Sequence, residues 1–283
     1  MKAKLVQSIA GVLILTGLTT SVNSFCQSPK RCTQKYLKSL PADLKLEEKT
    51  PQKYLLVKDK FDYDLLGNFI KKSRISGEYT RGLKNEYSKW NNVRTSESNK
   101  FNEPFPEGEK HEIIENFTYC SALSKNMLKD SMFKKIPEPN VVYRELVLDM
   151  MGFEMYAWKY FDSLKLNREL ILDIKNHVGE FEGVGNIATG DTRLTWIGIT
   201  SRNSEICAII KFVITDSKLN FDYMQAIIKG RSNCFGYICV SLRNKQIEYA
   251  ELHEDILMDI KIKGQDKSSK LNTRQEITLK KIL

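Results

Sequence analysis

The chain has 283 residues, of which 41% are hydrophobic and 10% are aromatic. This is the composition of an ordinary globular protein with enough apolar side chains for a core, and it excludes collagen-like, low-complexity and disordered chains. The formal net charge of +9 at pH 7 favours an acidic partner, so the compartment of the protein decides which partners to consider.

The N-terminus has the pattern of an export signal. Lys2 and Lys4 precede an apolar run over residues 9–18, and small residues then lead to Ser24. The run is too short for a transmembrane helix, which needs about 20 apolar residues. We therefore predict a signal peptide over 1–24 and a secreted or periplasmic protein, for which nucleic acid is not an expected partner.

The cysteines all lie after this predicted cleavage site. An even number of cysteines in an oxidising compartment favours disulfides. Cys234 and Cys239 are five residues apart, so they point to opposite faces of a strand and should not pair with each other. Cys207, in a neighbouring strand, is the expected partner of one of them. The predicted disulfide cysteines are Cys26, Cys32, Cys120, Cys207, Cys234 and Cys239.

No metal or other cofactor is expected from the sequence. It contains no CxxC pair, and its three histidines do not occur in a metal-binding motif.

Residues 25–135 are predicted to form a mixed, mainly helical region. Between Phe61 and Ile70 the apolar residues recur at helical spacing, which predicts a helix over 61–72. A second helix is expected over 121–135.

The strongest helical pattern follows the breaker at Pro137 and Pro139. Asn140 is a suitable N-cap, and apolar residues then recur every three or four positions. This pattern predicts a long buried helix over 141–164. Glu145 and Asp149 lie one turn apart on its polar face, and we interpret them as a solvated structural pair.

After this helix the pattern changes to that of an antiparallel sheet. Short β-branched and aromatic runs alternate with polar turns. The helix and the sheet are predicted to form one core over 136–263, followed by a basic tail over 264–283. From Lys261 onward the chain carries seven basic and two acidic residues, so the tail is expected to be solvated, dispensable for folding and able to contact an anionic surface.

Together these patterns predict an α+β fold. In it, a helical N-terminal half with one long buried helix packs on a C-terminal antiparallel sheet of about six strands, either open or curling toward a barrel.

The functional prediction is an exported binding or interaction protein without catalytic chemistry, with an unknown protein or an apolar small molecule as its partner. The aromatic residues on predicted strands that are candidates for apolar-ligand binding are Trp196, Phe212, Tyr223, Phe235 and Tyr237. The alternative is a secreted hydrolase that uses paired carboxylates. Its candidate catalytic residues are Glu145, Asp149, Glu180 and Glu182.

Overall fold

The protein is built around one large antiparallel β-sheet. The computed structural model describes residues 38, 46, 50–121, 136, 141–175, 178–181, 185–223, 225–266 and 268–282. Within these ranges the chain forms one α-helix, α1 (Val141–Glu154), and 13 strands. The strands are β1 (Gln52–Tyr63), β2 (Phe69–Leu83), β3 (Tyr87–Ser98), β4 (Glu109–Lys110), β5 (Phe117–Cys120), β6 (Glu169–Leu172), β7 (Val178–Phe181), β8 (Gly185–Ala188), β9 (Asp191–Arg202), β10 (Glu205–Tyr223), β11 (Ala226–Ser241), β12 (Ile247–Ile262) and β13 (Ser268–Ile282).

The predicted α+β fold with a helical N-terminal half is therefore wrong. The described part of residues 25–135 contains β1 to β5. The helix predicted over 61–72 is a hairpin instead, in which β1 and β2 are joined by a turn with Gly67 at a φ of +84°. The helix predicted over 121–135 lies outside the described residues, apart from Ser121.

The misreading of β1 has a physical cause. A half-buried strand is recognised by apolar residues at every second position. In β1 the inward positions are occupied first by Tyr54 and Leu56 and then by Lys58 and Lys60, so the alternation is lost halfway along the strand. The apolar residues around the turn are then the strongest periodic signal in this segment, and their spacing resembles that of a helix.

The strand order is β4-β3-β2-β1-β13-β12-β11-β10-β8-β7, with β5 on β3, β9 on β10 and β6 on β9. Strand β13 lies in the middle of this order. Its Leu279 is opposite Leu56 of β1 on one side and Ala250 of β12 on the other. The structure therefore corrects the prediction of a solvated tail over 264–283, because most of this segment forms the central strand β13.

The basic residues of β13 explain why it resembles a tail. Buried positions in this strand are Thr273, Gln275, Ile277 and Leu279, two of which are polar. Arg274 and Lys280 occupy alternating positions on the opposite, exposed face. A central strand with one solvated face keeps a high net charge without burying it.

Helix α1 packs on one face of the sheet, which we call the helix side; the opposite face is the outer side. Leu146, Val147, Met150 and Phe153 of α1 are almost completely buried. The α-geometry ends at Glu154, earlier than the predicted helix over 141–164, and a π-helical segment, Met155–Lys159, follows. No helix among the described residues is long and apolar enough to cross a membrane.

Strand β12 is continuous from Ile247 to Ile262. Its second half alternates apolar residues with Asp255, Asp259 and Lys261. This alternation continues the ladder with β11 and β13, so the acidic residues in between do not end the strand.

Within the described chain the predicted disulfides are absent. Cys120, Cys207, Cys234 and Cys239 are free thiols, and Cys26 and Cys32 lie outside the described residues. The register explains why Cys207 does not form the expected bridge, because Ser241 stands directly opposite it while Cys239 stands opposite Ile209. Burial raises the pKa of the Cys207 thiol to about 12, which keeps it protonated and unreactive.

The central position of β13 leads to a direct test. Leu279→Ala should lower the free energy of unfolding by about 2–5 kcal/mol, because it leaves a cavity between two neighbouring strands. Lys280→Ala, on the exposed face of the same strand, is the matched control and should change stability by less than about 0.5 kcal/mol. Urea denaturation measures both. Equal small effects would contradict the central placement of this strand.

Candidate functional site

A cavity of about 470 Å³ lies between α1 and the helix side of the sheet. This volume is within the range of about 300–1,000 Å³ that small-molecule sites occupy. The sheet contributes residues of β1, β2, β8, β10, β11, β12 and β13, and the first three turns of α1 contribute Arg144, Glu145, Leu148 and Asp149. The lining has one apolar part and one polar part.

The apolar part is supplied mainly by strands β8 to β13. Leu148 of α1 belongs to this part. The other members are aliphatic, sulfur-containing or aromatic side chains of the sheet, namely Ile187, Leu219, Phe221, Ile228, Ile256, Met258 and Leu271. A β-bulge in β10, between Ile214 and Ser217, changes which residues face the helix. Because the alternation is shifted by this bulge, Leu219 and Phe221 point into the cavity.

The polar part is supplied by β1, β2 and the middle of β12 and β13. These strands contribute two hydroxyls, one amide, three amines and two carboxylates, from Lys58, Lys60, Asp62, Lys71, Ser73, Glu254, Thr273 and Gln275. Gln275 donates a hydrogen bond to Glu254. The cavity therefore offers hydrogen-bonding groups at one end and a hydrocarbon surface at the other.

Ion pairs between α1 and β1 border the polar part. The Lys58 Nζ atom lies 2.9 Å from Asp149 Oδ2 and 3.2 Å from Glu145 Oε2. The Lys60 Nζ atom lies 2.5 Å from the same Glu145 oxygen. The side chains of Lys58 and Asp149 are only 3% and 9% exposed, so this pair is shielded from water and its loss would leave a buried charge.

The protonation of these groups follows from burial and from their partners. Burial alone would raise the pKa of Glu145, but Lys60 and Lys58 outweigh it and lower this pKa to about 2. Burial alone would lower the pKa of Lys58, but Asp149 and Glu145 outweigh it and raise this pKa. For Asp149 and Glu254, burial is the largest effect and raises the pKa.

A second buried network fixes the other end of α1. The Arg81 Nη1 atom of β2 lies 2.8 Å from Glu154 Oε2, and the Tyr79 hydroxyl donates to Glu154 Oε1 at 2.7 Å. The Tyr79 hydroxyl is also 2.8 Å from the Ser88 hydroxyl. Because Glu154 is almost fully buried, these contacts supply the hydrogen bonds that water would otherwise provide.

The predicted apolar-ligand residues lie elsewhere in the sheet. Phe212 is fully buried and its ring packs 5.4 Å from that of Tyr156, while Trp196 packs against Phe161. Phe235 is 53% exposed on the outer side and stacks on His253. Tyr237 is on the same outer side, where its ring lies 6.1 Å from that of Tyr249. The four described residues do not line the cavity, and the side chain of the fifth, Tyr223, lies outside the described part.

The predicted carboxylates divide into two groups. Glu145 and Asp149 both line the cavity but are paired with lysines, and Asp149 is nearly buried, so the expectation that they are solvated is corrected. The side chain of Glu180, and the whole of Glu182, lie outside the described residues. The hydrolase alternative stays a prediction.

Apart from Glu145 and Asp149, sequence reasoning missed the residues that form the cavity. The clue in β1 was the pair Lys58 and Lys60, which continue the period of two set by Tyr54 and Leu56. Inward lysines on a strand require acidic partners. In the described chain no group of three or more metal-ligating side chains comes together.

The Lys58 ion pair leads to a prediction for stability. Lys58→Met should lower the free energy of unfolding by about 3–5 kcal/mol at neutral pH, because it leaves Asp149 charged and unpaired in a buried site. This loss of stability should shrink as the pH falls, because burial raises the pKa of Asp149 and its carboxyl is then protonated before carboxyls with ordinary pKa values. Denaturation of Lys58→Met and of Lys58→Met/Asp149→Leu at several pH values measures this, and the double variant should recover stability. A loss that does not change with pH would contradict the role assigned to Asp149.

No protein-family model and no curated protein matches the chain. Among the solved structures, lipovitellin, from work on lipid–protein interactions in that protein, matches with a TM-score of 0.44 and 11% sequence identity. The match covers 84% of this chain and 26% of the lipovitellin chain. This chain thus spans about a quarter of that protein, and a likeness at this level does not define its family.

Proposed function

We propose that the protein binds a small amphiphilic molecule that carries a hydrocarbon chain, in the cavity between α1 and the sheet. The main observation that supports this proposal is the division of the cavity lining into an apolar part and a polar part. A hydrocarbon chain against Leu219, Phe221, Ile228 and Met258 would leave water for an apolar surface, which is favourable by about 25 cal/mol per Å².

The polar part is suited to an oxygen-bearing group at one end of the ligand. Ser73 carries a hydroxyl that can donate to such an oxygen. The Thr273 hydroxyl donates to Asp62 at 2.6 Å and can accept a hydrogen bond from a ligand hydroxyl. Lys58, Lys60 and Lys71 already have carboxylate partners. Their charges are therefore largely balanced within the protein, which favours a ligand whose polar group needs hydrogen bonds more than full charge neutralisation.

The proposal includes export to a secreted or periplasmic location, supported by the signal pattern over 1–24. An amphiphile with a long hydrocarbon chain is poorly soluble in water, so a protein that shields the chain would allow it to cross an aqueous compartment. A carrier of this kind needs no catalytic group.

Titration with a fluorescently labelled long-chain fatty acid tests the proposal. Wild-type protein should bind the probe with saturation, and Met258→Asp should weaken binding by about tenfold or more, because it places a charge against the hydrocarbon chain. Leu257→Asp is the matched control. Leu257 is the adjacent residue, is 54% exposed and points to the opposite face, so this variant should bind like the wild type.

Equal affinity in the Met258→Asp and Leu257→Asp variants, with both folded by circular dichroism, would show that the probe binds outside the cavity. Mass spectrometry of organic extracts from the purified protein should identify a co-purifying amphiphile that is depleted in Met258→Asp.

A further inference from the structure

The turn between β1 and β2 displays two leucines to water. Leu65 is 56% exposed and Leu66 is 88% exposed, the highest exposure among the large hydrophobic residues of the described chain. Adjacent exposed leucines at the end of a hairpin are unfavourable in water and often mark an interaction site. We call the turn Asp64–Asn68 the leucine tip.

The leucine tip has a fixed conformation. The Asp64 carboxylate accepts hydrogen bonds from the backbone N–H groups of Leu66, at 2.9 Å, and of Asn68, at 2.8 Å. The Asn68 side-chain amide donates to the other Asp64 oxygen at 2.8 Å. Gly67, at a φ of +84°, completes the turn in a conformation that favours glycine. These bonds hold the backbone of the tip, which displays both leucines to water.

The leucine tip lies at the same end of the sheet as the proposed binding cavity. Asp62 and Lys71, which flank the tip on β1 and β2, line the cavity. Strand β13 begins at this end too, since its Asn272 is opposite Tyr63. A molecule that touches the tip would therefore meet the protein next to the cavity.

The neighbouring turn between β12 and β13 adds a third exposed apolar residue, which is close to lysines in the sequence. Ile262 is 37% exposed and lies between the exposed Lys261 and Lys263, of which Lys263 pairs with Asp222 at 2.5 Å. Lys270 is exposed on β13, opposite Asp259. Leucine and isoleucine side chains can enter the boundary between lipid headgroups and acyl chains, while lysine ammonium groups remain at the level of the phosphates. The two turns together have the chemistry of a shallow lipid contact.

We propose that the leucine tip inserts into the surface of a lipid bilayer. The insertion would remove both leucines from water and place the cavity beside the membrane. The ligand would then enter the cavity from the membrane or return to it, and this exchange alone rests on the proposed function. Two leucines bury little apolar area, so the contact is reversible, as a carrier requires.

Vesicle flotation tests the proposal. The probes are phosphatidylcholine vesicles with and without phosphatidylglycerol, and the variant is Leu65→Ser/Leu66→Ser. The variant should partition into the vesicles at least about tenfold less than the wild type, because each leucine contributes to the buried apolar area. The matched control is Ile113→Ser/Ile171→Ser, which removes two residues that are 53% and 68% exposed on other elements and should float like the wild type.

A second measurement locates the contact. In Leu66→Trp the new indole should be quenched by brominated lipids, whereas the indole of Ile171→Trp should not. Fatty-acid titration in the absence of vesicles separates this proposal from the proposed function, since the leucine variant should bind the probe normally. Equal flotation of the wild type, the leucine variant and the control would overturn the lipid contact. It would also be overturned if sedimentation equilibrium showed a dimer of the wild type and the control that the leucine variant does not form.

Discussion

The structure depends on the matching of buried charges between α1 and the sheet. Lys58 of β1 is almost fully buried and lies 2.9 Å from Asp149 of the helix, and Arg81 of β2 lies 2.8 Å from the buried Glu154. An unpaired charge at either place would cost several kcal/mol. Each pair therefore favours the observed position of the helix along β1 and β2.

These two pairs give the two ends of α1 different surroundings. At the Glu154 end, Phe153 and Tyr156 pack on Phe212 and leave a filled core. At the Glu145 end, the lysine pairs hold the helix over strands whose side chains do not fill the space beneath it, and the cavity results. The apolar part of this cavity begins where the ion pairs end. The same interactions that position the helix thus separate the polar part of the site from the apolar part.

Some of this arrangement could be predicted from the sequence. The β-branched runs of β10 and β11 and the apolar pattern of α1 are local signals, and they gave the right element type at those places. The cavity depends on long-range pairing, since Lys58 and Asp149 are 91 residues apart, and no local pattern contains that information. In β13, polar residues at inward positions concealed a central strand. In both cases the deciding contacts involve polar side chains, which hydrophobic periodicity does not register.

The pairing of β1 with β13 has a consequence for the way the chain folds during synthesis. Tyr54 and Lys281 are opposite each other in the register, although 227 residues separate them along the sequence. The early hairpins from β1 to β3 leave the ribosome with the β1 edge unpaired, and this edge stays open until the last strand is made. Exposed strand edges promote aggregation. Lys58 and Lys60 on that strand, charged and not yet paired, would act as gatekeepers against aggregation in this interval.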